Sequence, residues 1–161
     1  MRTTPFSGAV VTISDRSAAG IRPDLSGPLA ADLLTDAGWS APVTVVPDDI
    51  DRIREAVRAA IDAGARLVVT SGGTGVSARD VTPEAMDGVI QRELPGIAEE
   101  VRRRGSDKLP QALLSRGRAG IVGRALVVNL PGSPGGVRDG IPIVLSVAAH
   151  VVAQLDGEDH A

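Results

Sequence analysis

The sequence has 161 residues, of which 43% are hydrophobic, and carries a formal net charge of -3, which suits one compact domain with a buried core. Nucleic acids and anionic membranes require clustered Lys and Arg, and aromatic residues for base stacking make up only 1%, so we expect neither partner. The absence of cysteine excludes disulfides, thiolate nucleophiles and Cys-based zinc sites.

Short apolar runs alternate with segments of helical periodicity, an order that predicts βαβ units and a parallel sheet. Strands are predicted over 8–13, 41–46, 67–70 and 126–130, the last one paired with 120–122 in a hairpin. Helices are predicted from Ser26 to near Gly38, over 48–63, from Thr82, over 96–104 and over 144–155. We find no internal repeat or linker, and therefore predict one α/β domain over residues 1–161 with its core at about 7–155.

The ends of two helices carry recognisable signals. Ser26 is predicted as an N-cap, with Pro28 in the first turn. In the segment 48–63, Ile50, Ile53 and Val57 repeat at helical spacing, and Gly64 follows as a helix terminator.

The N-terminal region lacks a signal-peptide pattern, and the longest apolar stretch, 141–149, is too short to span a bilayer. A cytoplasmic protein is therefore expected. His150 lies in an apolar helical segment and His160 in the tail, so neither is a well-placed partner for a serine nucleophile. The run Arg102-Arg103-Arg104 is most simply a solvated helix face, although a contact with a ligand stays open.

Four distinctive loops follow predicted strands, where an open parallel sheet binds its ligands. They are Ser14-Asp15-Arg16, Pro47-Asp48-Asp49, Thr70-Ser71-Gly72-Gly73-Thr74-Gly75 and Asn129-Leu130-Pro131-Gly132-Ser133. The glycine-rich loop is neither a Walker A loop nor a dinucleotide fingerprint, and by itself it is consistent with a tight βα turn. Four such loops together favour a phosphate site.

Three aspartates have both a structural and a functional interpretation. Asp48 and Asp49 open a helix, where aspartate usually caps, and Asp80 precedes Val81-Thr82-Pro83, where it shapes a turn. Carboxylates beside a phosphate loop repel the phosphate unless a cation bridges them, and Mg²⁺ held by one or two carboxylates plus phosphates is the usual arrangement.

Several segments together resemble the MogA/MoaB family. The central one is Ser71-Gly72-Gly73-Thr74-Gly75 followed by Arg79-Asp80-Val81-Thr82-Pro83-Glu84-Ala85. The others are Ile13–Arg16, Asp24–Pro28, Val46–Asp49, Leu114–Arg116 and Asn129–Pro134. The match runs in order from Ser7 to about Leu155, and 129–140 is similar to the actinobacterial Mog branch.

This resemblance implies a molybdopterin adenylyltransferase, similar to the gephyrin G domain, with a three-layer α/β/α fold and a mostly parallel sheet. It also implies a homotrimer, ATP and molybdopterin as substrates, Mg²⁺ as cofactor, and hand-off of the product to a molybdenum insertase. Asp48 and Asp80 would be the catalytic, metal-binding pair, and Gly72, Gly73, Thr74 and Gly75 would bind the nucleotide phosphates. The rest of the cleft would be lined by Ser14, Asp15, Ser115, Asn129, Pro131, Gly132 and Ser133. Many relatives carry a side chain where this chain has Gly135, so no cation-mediated contact is assigned there.

Adenylyl transfer suits these residues because a phosphate nucleophile is already ionised near neutral pH and needs no histidine base. The alternatives are a carrier or scaffold that binds molybdopterin without reacting it, and a relative of the same fold with another nucleotide-dependent reaction, such as the insertase or CinA-like proteins. A trimer-forming structural module would leave the four loops unexplained.

Overall fold

The computed structural model describes residues 6–158, in which seven strands form a single sheet. The strands are β1 (Phe6–Ile13), β2 (Trp39–Ser40), β3 (Val43–Val46), β4 (Leu67–Ser71), β5 (Arg92–Glu93), β6 (Ala119–Val122) and β7 (Ala125–Leu130). The α-helices are α1 (Asp15–Ala18), α2 (Ser26–Asp36), α3 (Ile50–Asp62), α4 (Thr82–Ala85), α5 (Pro95–Ser106) and α6 (Pro134–Leu155). A 3₁₀ helix covers Pro110–Leu114.

The centre of the sheet is parallel. β1 pairs with β2, β3 and β4, and β4 pairs with β7, all in parallel. β6 forms the predicted antiparallel hairpin with β7, and β5 is added antiparallel to β6. The predicted α/β fold with a mostly parallel sheet is confirmed.

The strand register brings four loops to one edge. Ile13 is opposite Val46, Thr12 is opposite Ser71, and Ser71 is opposite Leu130. The carboxyl ends of β1, β3, β4 and β7 therefore stop at nearly the same level, so the loops that follow them converge on a common space.

Two hydrophobic clusters lie on opposite faces of the sheet and give three layers. One contains Val10, Leu126 and Ile141 and packs the sheet against α2, α5 and α6. The other contains Val68 and Ile53, and packs the sheet against α3 and α4. Central strands are buried on both faces, which explains why β4 and β7 are apolar at successive positions.

Several predicted boundaries were wrong. The strand expected over 41–46 begins at Val43, with the short β2 before it. The helix expected over 144–155 begins ten residues earlier, at Pro134, because packing overrides the weak helix propensity of its glycines and Pro142. A Cβ atom on Gly140 would lie 2.7 Å from Leu130 Cδ2, so glycine permits close contact between α6 and β7.

The length of α6 also changes the membrane argument made from residues 141–149. Its 22 residues are apolar enough to cross a membrane by length and composition. In the fold, however, α6 is a core helix, with Val137, Ile141 and Val144 fully buried in the cluster that packs against the sheet. His150 lies on this helix as expected, and His160 lies outside the described residues.

The predicted N-cap of α2 is displaced by one residue. Ser26 is the first helical residue and Leu25 takes the N-cap position, without a side-chain hydrogen bond. Asp24 supplies the missing acceptor, because its Oδ1 accepts from the Gly27 amide at 3.0 Å. The helix predicted over 48–63 is α3, and Asp49 is its cap, with Oδ1 accepting from the Arg52 amide at 2.9 Å.

Candidate functional site

A cavity of about 630 Å³ lies at the carboxyl ends of the four parallel strands. Residues from all four loops contribute to its wall, and α1, α2 and the segment between them close one side. The predicted site residues that line it are Ser14, Asp48, Gly72, Gly73, Thr74, Gly75, Asp80, Gly132 and Ser133. We call this the acidic cavity, because Asp24, Asp48 and Asp80 are among its lining residues.

The glycine-rich loop forms the floor of the acidic cavity by close contact between main chains. Gly72 has φ 112°, and a Cβ atom there would lie 2.2 Å from the Ile13 carbonyl oxygen. A Cβ atom on Gly132 would lie 3.1 Å from Gly72 Cα. The ends of β1, β4 and β7 thus meet with no side chain between them, which requires glycine at these points.

Not every amide of this loop is available to a phosphate. The Gly72 amide donates to the Leu130 carbonyl at 3.0 Å, and the Gly72 carbonyl accepts from Thr82 Oγ1 at 2.9 Å. The amide and the carbonyl of Gly72 are therefore already hydrogen-bonded within the protein. Within residues 6–158 we find no such acceptor for the amides of Gly73, Thr74 and Gly75, which leaves these three as candidate phosphate donors.

The two adjacent aspartates before α3 have different roles. Asp49 caps the helix, whereas Asp48 reaches across to Asp15, the first residue of α1. Asp48 Oδ2 accepts from the Asp15 amide at 3.0 Å, and Asp15 Oδ1 accepts from the Asp48 amide at 3.0 Å. A Cβ atom on Gly73 would lie 3.1 Å from Asp48 Oδ1, so this second oxygen is directed to the glycine-rich loop.

Asp80 closes a turn, as predicted, and also lines the acidic cavity. Its Oδ2 accepts from the Ser77 amide at 3.0 Å. A Cβ atom on Gly75 would lie 2.8 Å from the same oxygen, so the carboxylate lies directly against the glycine-rich loop.

The acidic cavity disfavours the charged form of Asp48. Burial is the main effect that raises the pKa of this carboxyl above its ordinary value. The Asp15 amide opposes this shift, whereas the negative charges of Asp15 and Asp80 add to it. A cation placed between Asp48 and Asp80 would relieve the repulsion.

Mg²⁺ fits this pair of carboxylates. Each aspartate uses Oδ2 for an amide of the protein, and both side chains face the same cavity beside three available amides. Among residues 6–158 no group of three or more acidic or histidine side chains could enclose a metal by itself. Two carboxylates with the remaining ligands from phosphate and water is the coordination that Mg²⁺ commonly takes.

Other residues of the acidic cavity were not predicted from the sequence. Asp24 bridges β1 and α2, because Oδ2 accepts from Thr12 Oγ1 at 2.8 Å while Oδ1 accepts from the Gly27 amide. Arg22 is the basic side chain that lines this cavity in the described part of the chain, and it is exposed. The segment Asp24–Pro28 was part of the family resemblance, which was the available signal for Asp24.

A second cavity, of about 370 Å³, adjoins the first. It lies between α5, the 3₁₀ helix and the start of α6, and contains the predicted residues Ser115 and Pro131. Its wall combines apolar groups such as Leu109 and Leu114 with basic side chains, so we call it the amphipathic cavity. Thr74, Gly75 and Ser133 line both cavities and form their shared wall.

Two predicted cleft residues line neither cavity. Asn129 is 2% exposed, donates its amide to Thr70 Oγ1 at 2.9 Å and accepts from the Arg118 amide at 3.1 Å, so it ties strands together. Asp15 binds Asp48 as described, and both of its carboxylate oxygens accept from Arg79 at 2.9 Å. Both residues therefore support the site without lining either cavity.

The run of three arginines on α5 is divided between structural contacts and solvent. Arg102 donates to the carbonyls of Ser115 and Gly117, and also lines the amphipathic cavity. Arg103 and Arg104 both pair with Glu100, whose pKa they lower to about 2. Arg103 and Arg104 therefore lie on a solvated helix face, as expected, whereas Arg102 makes structural contacts.

Three further arginines surround α4, which follows Asp80. Arg54 from α3 donates to the carbonyls of Ala85 and Asp87 at 2.9 and 2.8 Å. Arg118 donates to the Pro83 carbonyl at 2.9 Å. Arg116 pairs with Glu84, with Nη1 2.5 Å from Oε1. Arg54, Arg116 and Arg118 therefore each anchor this short helix to the rest of the fold.

Known proteins resemble this chain over most of its length. The sequence profile described as "Probable molybdopterin binding domain" matches residues 9–150. A molybdopterin adenylyltransferase of Pyrococcus furiosus is 38% identical, over 91% of this chain and 89% of that protein. A molybdenum cofactor biosynthesis bifunctional protein of Chlorobaculum tepidum is 36% identical over 95% of this chain. The chain spans about half the length of that bifunctional relative, 49%.

Solved structures agree with the sequence relatives. A molybdopterin biosynthesis protein from Mycobacterium abscessus has 45% identity and a TM-score of 0.89, with 94% of this chain and 97% of that chain covered. The molybdopterin biosynthesis Mog protein from Mycobacterium ulcerans has 41% identity and a TM-score of 0.89, with 97% and 100% covered. The chain therefore belongs to the MogA/MoaB family of molybdopterin-binding domains.

Proposed function

We propose that this chain is a molybdopterin adenylyltransferase, which transfers AMP from ATP to the phosphate of molybdopterin. The observation that carries the proposal is the meeting of a glycine-rich phosphate loop and two cavity-lining aspartates, Asp48 and Asp80, with a second cavity behind a shared wall. Two adjoining cavities suit a reaction that joins two substrates. Relatives named molybdopterin adenylyltransferase support the choice of substrates.

The ATP phosphates would lie in the acidic cavity, against the amides of Gly73, Thr74 and Gly75. The pterin would occupy the amphipathic cavity near Ser115 and Pro131, where apolar walls accept a flat ring system and Arg102 and Arg138 add positive charge. The shared wall would then place the molybdopterin phosphate beside the α-phosphate of ATP.

In the reaction, an oxygen of the molybdopterin phosphate attacks the α-phosphorus of ATP. A new phosphoanhydride bond forms, the bond between the α-phosphorus and the bridging oxygen breaks, and pyrophosphate leaves with the electron pair. The nucleophile is already ionised, so no general base is required. The main barrier is the approach of two anions, which positioning and preorganised donors lower.

Each group of the site has a task in this scheme. The three loop amides orient the phosphates, and Asp15 holds Asp48 in place through the exchanged hydrogen bonds. Asp48 and Asp80 would hold Mg²⁺, which when bound supplies the positive charge that the phosphates and carboxylates otherwise lack.

We further propose that the protein acts in the cytoplasm as a homotrimer and passes adenylylated molybdopterin to a molybdenum insertase. The family resemblance supports the homotrimer and the transfer to an insertase. The existence of bifunctional relatives in molybdenum cofactor biosynthesis is consistent with a second activity acting close to this one.

The test is pyrophosphate release from ATP by the purified protein, with Mg²⁺ or excess chelator, and with or without freshly prepared molybdopterin. Release that requires both Mg²⁺ and molybdopterin is expected, and Asp80→Asn should lower kcat on the order of 100-fold. The matched control is Asp62→Asn, the same change at an exposed position at the far end of α3. Tight pterin binding without pyrophosphate release would instead establish the carrier function.

A further inference from the structure

Arg116 binds both ends of the segment that links the glycine-rich loop to Asp80. Its Nε donates to the Gly75 carbonyl and its Nη2 to the Asp80 carbonyl, each at 2.8 Å. These two carbonyls stand at the beginning and the end of residues 75–80. One guanidinium group therefore fixes the distance between the two ends of this loop.

Glu84 fixes the guanidinium group from the opposite side. Its Oε1 lies 2.5 Å from Arg116 Nη1, and its Oε2 lies 3.5 Å from Nη2. Both side chains are partly exposed, at 38% and 43%, so the pair contributes more to geometry than to net stability. The hydrogen bond from Arg116 lowers the pKa of Glu84, which keeps this carboxylate ionised at neutral pH.

The position of the loop determines the position of the Asp80 carboxylate. Asp80 Oδ2 accepts from the Ser77 amide inside the loop and lies against Gly75 at its beginning. If the ends of the loop move apart, both contacts are lost and the carboxylate turns away from the acidic cavity. Arg116 does not itself line either cavity, so it would act through Asp80.

Arg116 also belongs to the shared wall through its main chain. Its amide donates to the Thr74 carbonyl at 2.7 Å, and Thr74 lines both cavities. The preceding residue, Ser115, lines the amphipathic cavity. One residue thus connects a wall of the amphipathic cavity to the aspartate of the acidic cavity.

We propose that Arg116 is a positioning residue that holds the Asp80 carboxylate and the shared wall in the arrangement required for transfer. This inference rests on the proposed adenylyl transfer. Arg116 is expected to act on the reaction step more than on the affinity for either substrate, because it touches loop carbonyls and no cavity surface.

The experiment compares Arg116→Ala with Arg118→Ala. Arg118 is a close match, because its guanidinium group also binds α4, at the Pro83 carbonyl, and neighbouring carboxylates, but it is not hydrogen-bonded to residues 75–80. Pyrophosphate release should show kcat reduced about 10- to 100-fold in Arg116→Ala, with KM for ATP and molybdopterin changed less than about 3-fold. Added guanidinium ion should restore part of kcat in Arg116→Ala and none in Arg118→Ala.

Amide hydrogen exchange provides a second readout that does not depend on activity. The amides of Ser77 and Asp80, which are bonded across the loop, should exchange about 10-fold faster in Arg116→Ala and unchanged in Arg118→Ala. If Arg116→Ala fails to fold, Glu84→Gln removes the charged partner of Arg116 and should show the same two effects in weaker form.

The outcomes separate the two proposals. An inactive wild-type protein whose loop nevertheless exchanges faster in Arg116→Ala overturns adenylyl transfer but keeps the role of Arg116 in holding the loop. An active wild-type protein with Arg116→Ala indistinguishable from Arg118→Ala overturns the positioning role. A loss that appears only in KM also overturns it.

Discussion

Asp15 and Asp48 exchange hydrogen bonds between the ends of β1 and β3, each donating its backbone amide to the carboxylate of the other at 3.0 Å. The exchange uses one oxygen of Asp48 and leaves the other beside Gly73. Arg79 binds both oxygens of Asp15 and offsets one of the two negative charges. A loop-to-loop contact of this kind orients a carboxylate without neutralising it.

Asp48→Asn should remove activity while increasing stability. Burial raises the pKa of Asp48, so the ionised carboxylate is disfavoured in the folded state. Wild type should therefore lose stability relative to the variant as pH rises from below about 3.9, the usual value for aspartate, through the raised pKa. Denaturant unfolding at neutral and acidic pH checks this: the variant should be more stable at neutral pH, and the difference should vanish in acid. Equal stability at every pH would contradict the assignment.

The wild-type pH profile follows from the same shift. If the ionised form of Asp48 is required, kcat/KM, which reports groups of the free enzyme, should fall as the pH is lowered through its raised pKa, which lies above that of an ordinary aspartate. The profile of kcat/KM against pH measures this directly. An activity that persists down to the pKa of an unperturbed aspartate would show that the ionised carboxylate is not needed.

Asp49→Ala should lower stability and leave activity nearly unchanged, which makes it a control for Asp48→Asn at the neighbouring position. It removes the N-cap of α3, so the free energy of unfolding should fall by about 0.5–2 kcal/mol. Asp49 does not line the acidic cavity, so kcat of the folded protein should stay within about 3-fold of wild type. Thermal unfolding and the pyrophosphate assay measure the two effects; loss of activity without loss of stability would place Asp49 in the site.

Gly73→Ala should disrupt the phosphate loop. Gly73 has φ 68°, and a Cβ atom would lie 2.3 Å from Thr82 Oγ1 and 3.1 Å from Asp48 Oδ1. A displacement of either group costs about 1–3 kcal/mol of stability and should lower kcat at least 10-fold. The matched control is Gly96→Ala, where a Cβ atom meets nothing within 4 Å in the first turn of α5. Similar kinetics for both variants would argue against a tightly built loop.

Arg22→Ala should weaken ATP and pyrophosphate binding. Arg22 faces a cavity lined by Asp24, Asp48 and Asp80, and is positioned to add positive charge beside a triphosphate. KM for ATP and the inhibition constant for pyrophosphate should both rise about 10-fold, with the KM for molybdopterin unchanged. The control is Arg58→Ala on the exposed face of α3. An equal rise in the molybdopterin KM would point to a general loss of structure.

Asn129→Ala separates a supporting role from substrate contact. Its buried amide links Thr70 Oγ1 and the Arg118 amide, so truncation leaves polar groups without partners and should cost about 1–3 kcal/mol of stability. Activity of the folded protein should change only a few-fold. Abolished activity with unchanged stability would instead support the direct role that the family resemblance implies.

Much of the fold could be predicted from local patterns. The buried positions of β4 and β7 are mostly apolar, with Thr70, Ser71 and Asn129 as the polar exceptions, and α3 has a clear helical period. The start of α6 was missed because Gly135, Gly136 and Pro142 are poor helix formers. A Cβ atom would lie 2.8 Å from Pro131 Cβ at Gly136 and 2.7 Å from Leu130 Cδ2 at Gly140, so the early turns of α6 contain glycine where they pack closely, and hydrophobic periodicity does not reveal such contacts.

The candidate site was predictable to the extent that it depends on strand ends. The convergence of Asp48, Gly73 and Asp80 on one cavity agrees with what a parallel sheet predicts. The directions of the side chains could not be predicted. Asn129 faces inward between strands. Asp48 accepts from the Asp15 amide, whereas its neighbour Asp49 caps α3. The role of Arg116 was equally hidden, because its contacts span more than 30 residues of sequence.

The contact of glycine main chains at Gly72 and Gly132 divides the acidic cavity into two kinds of surface. The base is made of backbone, whose free amides would bind phosphate in the proposed function, and it tolerates almost no substitution, since any Cβ atom at Gly72 would meet the Ile13 carbonyl. The rim, which includes Arg22 and Leu25, consists of exposed side chains that can change without disturbing the strands. Divergence toward another nucleotide or another phosphorylated acceptor would therefore proceed by exchange of rim residues over a constant anion-binding base.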